Sequence, residues 1–345
     1  MKSFKNPTTF ALMGGLVCLA AAGAVGSYAS DVHSVTPGFL AAGDPFNAVG
    51  APVGGGPSMG GTDVYQLGVG GDVTYELATA AFNGRGTDLI VYENPFLVSG
   101  TLDFETWAEV CTVEVSTNSF DWAAFPTDYR GLPGPFGLFQ GIPRHWFRGF
   151  AGVATVGADP FGTGVDPLDV VAGGGDAFDF DDLLDDPNVV AGLVDLEEIR
   201  YVRLTDIQGG QTMDADGDVI WDCGDPAFAC TDIDALCAVN NVGGTQAGRP
   251  WVDLSIQEIN GNEWIILDIG DPDGLWQVTP SITASNNGLS VNFYGLLPYF
   301  VFLELDGFHV KMAAGPLIPA IPDTEFRVAV EDPSGLRGGD VLHFP

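Results

Sequence analysis

Thr112-Val113-Glu114-Val115-Ser116 alternates polar and apolar side chains, the pattern of a β-strand with one wet face. The same reading extends outward to β-rich runs at Val73–Leu77, Asp88–Tyr92, Ala108–Ser116, Ile199–Asp206 and Ala235–Val239. It continues through Trp251–Ile256, Trp264–Ile269, Gly288–Tyr294, Phe300–Leu305 and Glu325–Glu331. The 48 Gly and 23 Pro among 345 residues punctuate these runs as turns do. Helix is scarce, with short candidates at Phe178–Leu184 and Val194–Glu198. The chain therefore reads as all-β.

Its ends and joints are also legible. Lys2 and Lys5 precede an apolar run from Phe10 to Val25, and Ser27-Tyr28-Ala29 offers a small-x-small processing site. Residues 1–29 thus read as a signal peptide, and the protein is expected to be secreted, periplasmic or on the cell surface, with no membrane span after cleavage. Cys18 lies in the run without the small residue a lipoprotein signal needs before it. Residues 30–61 form a Gly/Pro-rich leader, and 62–242 the first domain. Residues 243–250 are read as a linker, and 251–345 as a small sandwich with five or six strand candidates. Length and 46% hydrophobic residues suffice for real cores. Charge narrows the partners: 46 acids against 12 Lys+Arg give −34, and loss of Lys2 and Lys5 with the leader takes this to −36. Nucleic acid and anionic membrane surfaces are excluded, because nothing here neutralises phosphates. A solvating role for excess acid explains the total but not its clustering.

The densest pattern is Asp214-Ala215-Asp216-Gly217-Asp218-Val219-Ile220-Trp221-Asp222, with Asp225 beyond it. Short carboxylates at alternating loop positions can converge on one hard cation, which points to Ca²⁺ rather than Mg²⁺. The plain alternative is an exposed acidic turn. Val219 stands where such loops usually place Gly, and a β-branched residue resists a left-handed backbone. Four cysteines follow the leader: Cys111, Cys223, Cys230 and Cys237. Export and an even count predict two disulfides, connectivity open, with one bridge beside the Asp loop. Zinc is disfavoured, since the spacing is not C-x₂-C and His33, His145, His309 and His343 are scattered.

Several stretches resemble a family of bacterial secreted or cell-surface proteins with a jelly-roll-like domain. They are Gly70–Leu77, Asn83–Phe96, Ala108–Val110 with Val113–Ser116, Ala172–Asp179, Arg200–Asp206 and Asp232–Leu236. They cover about half the chain. The resemblance, to carbohydrate-binding and discoidin-like jelly rolls in layout, implies a jelly-roll-like β-sandwich followed here by the smaller immunoglobulin-like β-sandwich. It also implies a structural Ca²⁺ tying an early loop to the last strand, for which Asp88, Glu93, Asp232 and Asp234 are the groups at hand. Strand-end caps are the competing reading of the same four. The Asp loop itself is similar to a thrombospondin type 3 calcium repeat, in single copy.

Other candidates carry less. Asp176, Asp179, Asp181, Asp182, Asp185 and Asp186 read as a capped, solvated helix. Gly56-Pro57-Ser58-Met59-Gly60 matches an esterase string, but no strand precedes it and no helix follows, so Ser58 is not read as a nucleophile. Trp107, Trp122, Trp146 and Phe147 could stack on sugars, though packing is the commoner use. The sequence thus predicts a non-catalytic, Ca²⁺-stabilised exported protein that binds an extracellular glycan or envelope component, or adheres through one. The alternatives are a carboxylate-based polysaccharide hydrolase and a purely structural envelope or matrix component. A cleft with facing carboxylates of unequal pKa favours the hydrolase; a shallow face with exposed aromatics favours binding.

Overall fold

The computed structural model describes residues 27–98, 105–137, 140–223, 230–242, 249–259, 262–271, 279–286, 289–292, 300–305, 309–314, 324–331 and 337–344. The protein is all-β, built as β-sandwiches. Strands of four or more residues in the first part are β1 (Ser27–Thr36), β2 (Asp72–Ala81), β3 (Leu89–Glu93), β4 (Cys111–Ser116), β5 (Ile199–Asp206) and β6 (Asp232–Ala238). They form an antiparallel path in the order Phe150–Ala151, β4, β5, β2, β1, β6, β3, Asp176–Phe178. The path curls at β1, whose first two residues pair with β6 and whose remainder pairs with β2.

Alternation explains the inner face. Val202 of β5 lies between Tyr75 and Val115, and Leu204 between Val73 and Val113, all fully buried in one core. On the outer face of β5, Arg203 pairs with Glu114 at 2.6 Å and lies over the Trp122 ring at 4.2 Å. β3 is buried throughout. Its Leu89 and Val91 face the main core, while Ile90 and Tyr92 pack with Val156, Leu168 and Val170 on the opposite side. A strand covered on both faces has no use for alternation, which is why Leu-Ile-Val-Tyr reads as a continuous apolar run.

The Gly173-Gly174-Gly175-Asp176 stretch has a steric cause. Gly174 and Gly175 hold φ of +70° and +84°, and a Cβ on Gly174 would lie 1.8 Å from the Thr155 carbonyl oxygen. That tight passage delivers Asp176 to the backbone N–H groups of Gly152, Val153 and Ala154 at 2.8–3.0 Å.

The C-terminal part contains β7 (Trp251–Ile259), β8 (Asn262–Gly270), β9 (Thr279–Asn286), β10 (Leu289–Asn292), β11 (Phe300–Leu305), β12 (His309–Ala314), β13 (Thr324–Glu331) and β14 (Arg337–Phe344). Two four-stranded antiparallel sheets result, ordered β7-β8-β12-β11 and β10-β9-β13-β14. Val252, Leu254, Leu267, Ile282, Phe326 and Val328 belong to the core that these strands enclose. The joint to the first part is fastened by Arg249–Asp166 at 2.9 Å and Arg337–Asp169 at 2.6 Å, with Arg85 over the Trp251 ring at 4.9 Å.

Several expectations change. Ser27-Tyr28-Ala29 lies inside β1, with Ser27 and Ala29 buried, so cleavage after Ala29 would remove the start of a paired strand. Residues 1–26, with the apolar run, and residues 243–248 of the linker lie outside the described residues. The helix expected over Phe178–Leu184 is the end of the strand Asp176–Phe178 followed by a 3₁₀ turn at Phe180–Leu183. Val194–Glu198 holds turns rather than helix. Among the described residues, no helix is long and apolar enough to cross a membrane.

Candidate functional site

A cleft of about 830 Å³ lies between the two parts of the protein. One wall comes from the Phe147–Phe150 segment, the Gly174–Phe178 passage and the turn carrying Asp179, Asp181 and Asp182. The other comes from β7, β12, β13 and β14, which contribute Asp253, Gln257, Lys311, Arg327 and Asp340. Alternation places these groups: Val252 and Leu254 of β7 enter the second core, which turns Asp253 outward.

Carboxylates from both walls act on one another. Burial first, then Asp88 and Asp253, pushes Asp179 up to about 8. Burial first, then Asp268 and Asp182, raises Asp253 to about 6, against the opposing pull of Lys311. Asp340 rises to about 7, chiefly through burial, although Leu254 and Val341 donate their N–H groups to it at 2.7 Å. Asp176 rises to about 7 by burial, against its three backbone donors and Arg144. Arg148 adds a cation to the first wall. The acid cluster predicted on a helix is therefore split. Asp176 organises a loop, Asp179 caps the 3₁₀ turn, Asp186 caps the short helix Pro187–Val190, and Asp181 and Asp182 stand exposed.

The Asp214 loop is held by its own backbone. The Asp214 carboxylate accepts N–H groups from Tyr129, Asp216 and Asp218 at 2.8, 3.1 and 2.8 Å. Burial alone would raise its pKa, but these donors and Gly217 outweigh burial and hold it below the usual carboxylate range. Met213 bridges to Val219, and the left-handed residue of the turn is Gly217 at φ +90°. The strain expected at Val219 does not arise, because the turn closes two residues earlier. Asp216 and Asp218 are exposed, Asp222 is buried, and Asp225 lies outside the described residues. Among the described residues, no three His, Cys, Asp or Glu side chains stand as a metal-holding group. The Asp214 carboxylate thus uses three acceptor positions on the backbone of its own turn and of the Tyr129 segment.

The four groups implied by family resemblance separate into two kinds. Asp88 accepts from Gly84 N, Phe180 N and Asn240 Nδ2, and Asp234 accepts from Val53 N, so both fasten loops. Glu93 and Asp232 instead come together, the Asp232 N–H donating to Glu93 Oε1 at 2.7 Å. Glu109 acts on Glu93 as well; it lies in the Ala108–Val110 stretch that carries the resemblance, but a lone acid there has no spacing to mark it as a site.

The predicted disulfides are not formed. Cys111, Cys223, Cys230 and Cys237 are buried free thiols. Cys111, Cys223 and Cys237 pack into three different hydrophobic clusters, which is why crowding in sequence does not become pairing in space. Trp107 and Phe147 are buried, Trp146 meets Phe136 in a tilted contact, and the Trp122 ring lies under Arg203, so these sugar-stacking candidates serve packing. Among the described residues, the exposed phenylalanines are Phe39, Phe46, Phe120 and Phe161, Phe46 in the 3₁₀ turn Pro45–Ala48 and the others outside the named strands and helices. No protein-family model matches the chain, and no curated protein matches it.

Proposed function

We propose that the protein is a non-catalytic, exported cell-surface or secreted β-sandwich protein that binds an extracellular glycan in the cleft between its two parts. The observation that carries this reading is the cleft itself, about 830 Å³ with Asp253, Gln257, Lys311 and Arg148 among its lining residues. Such groups satisfy the paired donors and acceptors of sugar hydroxyls, and a cavity of this size suits a small oligosaccharide. Asp340 and Asp176 have backbone partners, which suits a wall that positions rather than reacts. A glycan array probed with the whole chain tests it. Hits should weaken about tenfold or more with Asp253→Asn or Arg148→Ala, the loss of one hydrogen-bonded group. Blank arrays would favour the structural envelope role.

A hydrolase is the second reading, favoured by Asp253 acting on Asp179 across the cleft, with Asp179 raised to about 8 and Asp253 to about 6. Unequal carboxyls of this kind can divide acid and base roles. Release of reducing ends from a bound polysaccharide, abolished by Asp179→Asn and by Asp253→Asn, would replace binding with catalysis as the conclusion.

A further inference from the structure

The chain carries 12 Lys and Arg against 46 acids, and four of those cations, Arg144, Arg148, Lys311 and Arg327, stand in the cleft. Only 32 of the 345 residues line it, so the cations are concentrated there. Each wall supplies two. Arg144 and Arg148 come from residues 144–148 of the first part, Lys311 from β12 and Arg327 from β13 of the second. Arg144 is buried and acts on Asp176. Arg148, Lys311 and Arg327 are half-buried, within reach of solutes. Lys311 meets Asp268 at 3.8 Å, beyond hydrogen-bond reach, which leaves its ammonium donors to a ligand.

Six Asp share the cleft, and their surroundings decide how far they cancel the cations. Asp176 and Asp340 accept backbone N–H groups, three and two respectively. Burial pushes these two to about 7 and Asp179 to about 8. The other charges on them are Arg144 at Asp176, Asp253 and Asp182 at Asp340, and Asp88, Asp253 and Asp181 at Asp179. Asp253, at about 6, faces Asp268, Asp182 and Asp181 against Lys311. As pH falls through this range these four acids take up protons, while Arg and Lys side chains keep their charge. The cleft therefore gains positive charge in mild acid.

We propose that the cleft selects an acidic glycan, one whose sugars carry carboxylates, over neutral glycans. This rests on the glycan reading of the cleft and adds the charge of the ligand. The planar forks of Arg148 and Arg327 match a carboxylate through two parallel hydrogen bonds. Cations on both walls suit carboxylates on separate sugars, and the Asp groups between them suit the hydroxyls. A chain more densely charged with sulfate would meet Asp181, Asp182 and Asp253 on the same walls.

Calorimetric titration of the whole chain with short oligouronides of galacturonate, glucuronate or mannuronate, each beside its methyl ester, reads the charge preference directly. In buffer near pH 5.5, at least one oligouronide should bind about tenfold tighter than its ester. That preference should shrink severalfold near pH 8, as the cleft Asp side chains ionise. Lys311→Gln and Arg327→Gln should each remove most of it, while Arg200→Gln, on an exposed residue outside the cleft, should keep it. The comparison of acid with ester is made on the parent chain, so a variant that fails to fold does not decide it. Esters bound as tightly as acids, a preference unchanged between the two pH values, or tighter binding of sulfated oligosaccharides than of every oligouronide would overturn the inference. Neutral hits on the glycan array with no oligouronide bound would overturn it and leave the glycan reading standing; blanks throughout would remove both.

Discussion

Replacing Asp214 by Ala separates a turn held by its backbone from one held by an ion. The carboxylate accepts three backbone N–H groups. Those of Asp216 and Asp218 sit on exposed residues and can turn to water, so each lost bond costs about 0.5–1 kcal/mol. The Tyr129 N–H is in a buried bond and would be left without its acceptor, at about 1–3 kcal/mol. The expected loss is roughly 2–5 kcal/mol, which lowers Tm by about 5–20 °C for a protein of this size. Urea unfolding followed by tryptophan fluorescence measures it at neutral pH, once in chelator and once in millimolar Ca²⁺. The loss should be the same in both, while Asp216→Asn and Asp218→Asn stay within about 0.5 kcal/mol of the parent. The sign with pH follows from the depressed pKa of Asp214. Its stabilisation is present above the unfolded-state carboxyl pKa and disappears as pH falls through the folded value. Parent and Asp214→Asn should therefore converge in acid. A loss confined to Ca²⁺, or an equal loss in Asp216→Asn, would show carboxylates converging on an ion and refute the backbone account.

Asp176 predicts the opposite slope. Its pKa is raised from 3.8 to about 7, so the folded state keeps a proton that the unfolded chain releases, and stability falls as pH rises from about 4 through about 7, by up to about 4 kcal/mol. Chemical denaturation across that range should show the fall, and Asp176→Asn should reduce it by about that amount, leaving the share of raised carboxyls such as Asp340 and Asp253; an unchanged slope would place the proton elsewhere. The cysteines predict a thiol count: in the chain without residues 1–26, which keeps β1 whole, none of the four should react with a thiol reagent while folded, and all four should after unfolding without reductant. Fewer than four would restore the bridges expected from export.

What could be read in the sequence followed from how much of a strand's surroundings its own residues encode. Ile199–Asp206 has one wet face and one dry face, and its limits are those expected. β1, Ser-Tyr-Ala-Ser-Asp-Val-His-Ser-Val-Thr, has mostly exposed or half-buried side chains and belongs to the sheet through backbone pairing with β2 and β6, so no apolar rhythm announced it. β14 carries two glycines for a similar reason: a Cβ on Gly338 would meet the Pro250 carbonyl oxygen at 1.9 Å. Phe178–Leu184 misled because Asp179 caps a 3₁₀ turn with the side-chain bond that would start a longer helix. The cleft was illegible, since it depends on which outer faces of two sandwiches meet.

The buried acids make the same point about function. Asp88, Asp169, Asp206, Asp214 and Asp234 are all buried in a chain carrying −34, and each is met by at least one backbone N–H. Asp166 and Asp169 also receive Arg249 and Arg337, two of only 12 Lys and Arg residues. A chain so short of cations has one cheap way to bury a carboxylate, which is to fold its own amides around it, and it does so repeatedly. Asp88 and Glu93 show the contrast within one strand: they flank the same Leu-Ile-Val-Tyr and are equally buried. Two backbone N–H groups and an Asn240 amide converge on Asp88, whereas Glu93 keeps an oxygen with no donor beside two further carboxyls. The backbone solution used at Asp88, five residues away, is only half used at Glu93, whose Oε1 accepts the Asp232 N–H. The Glu93 Oε2 is left as a buried oxygen without a donor, and Asp232 and Glu109 beside it add to what burial does in pushing this carboxyl above its usual range.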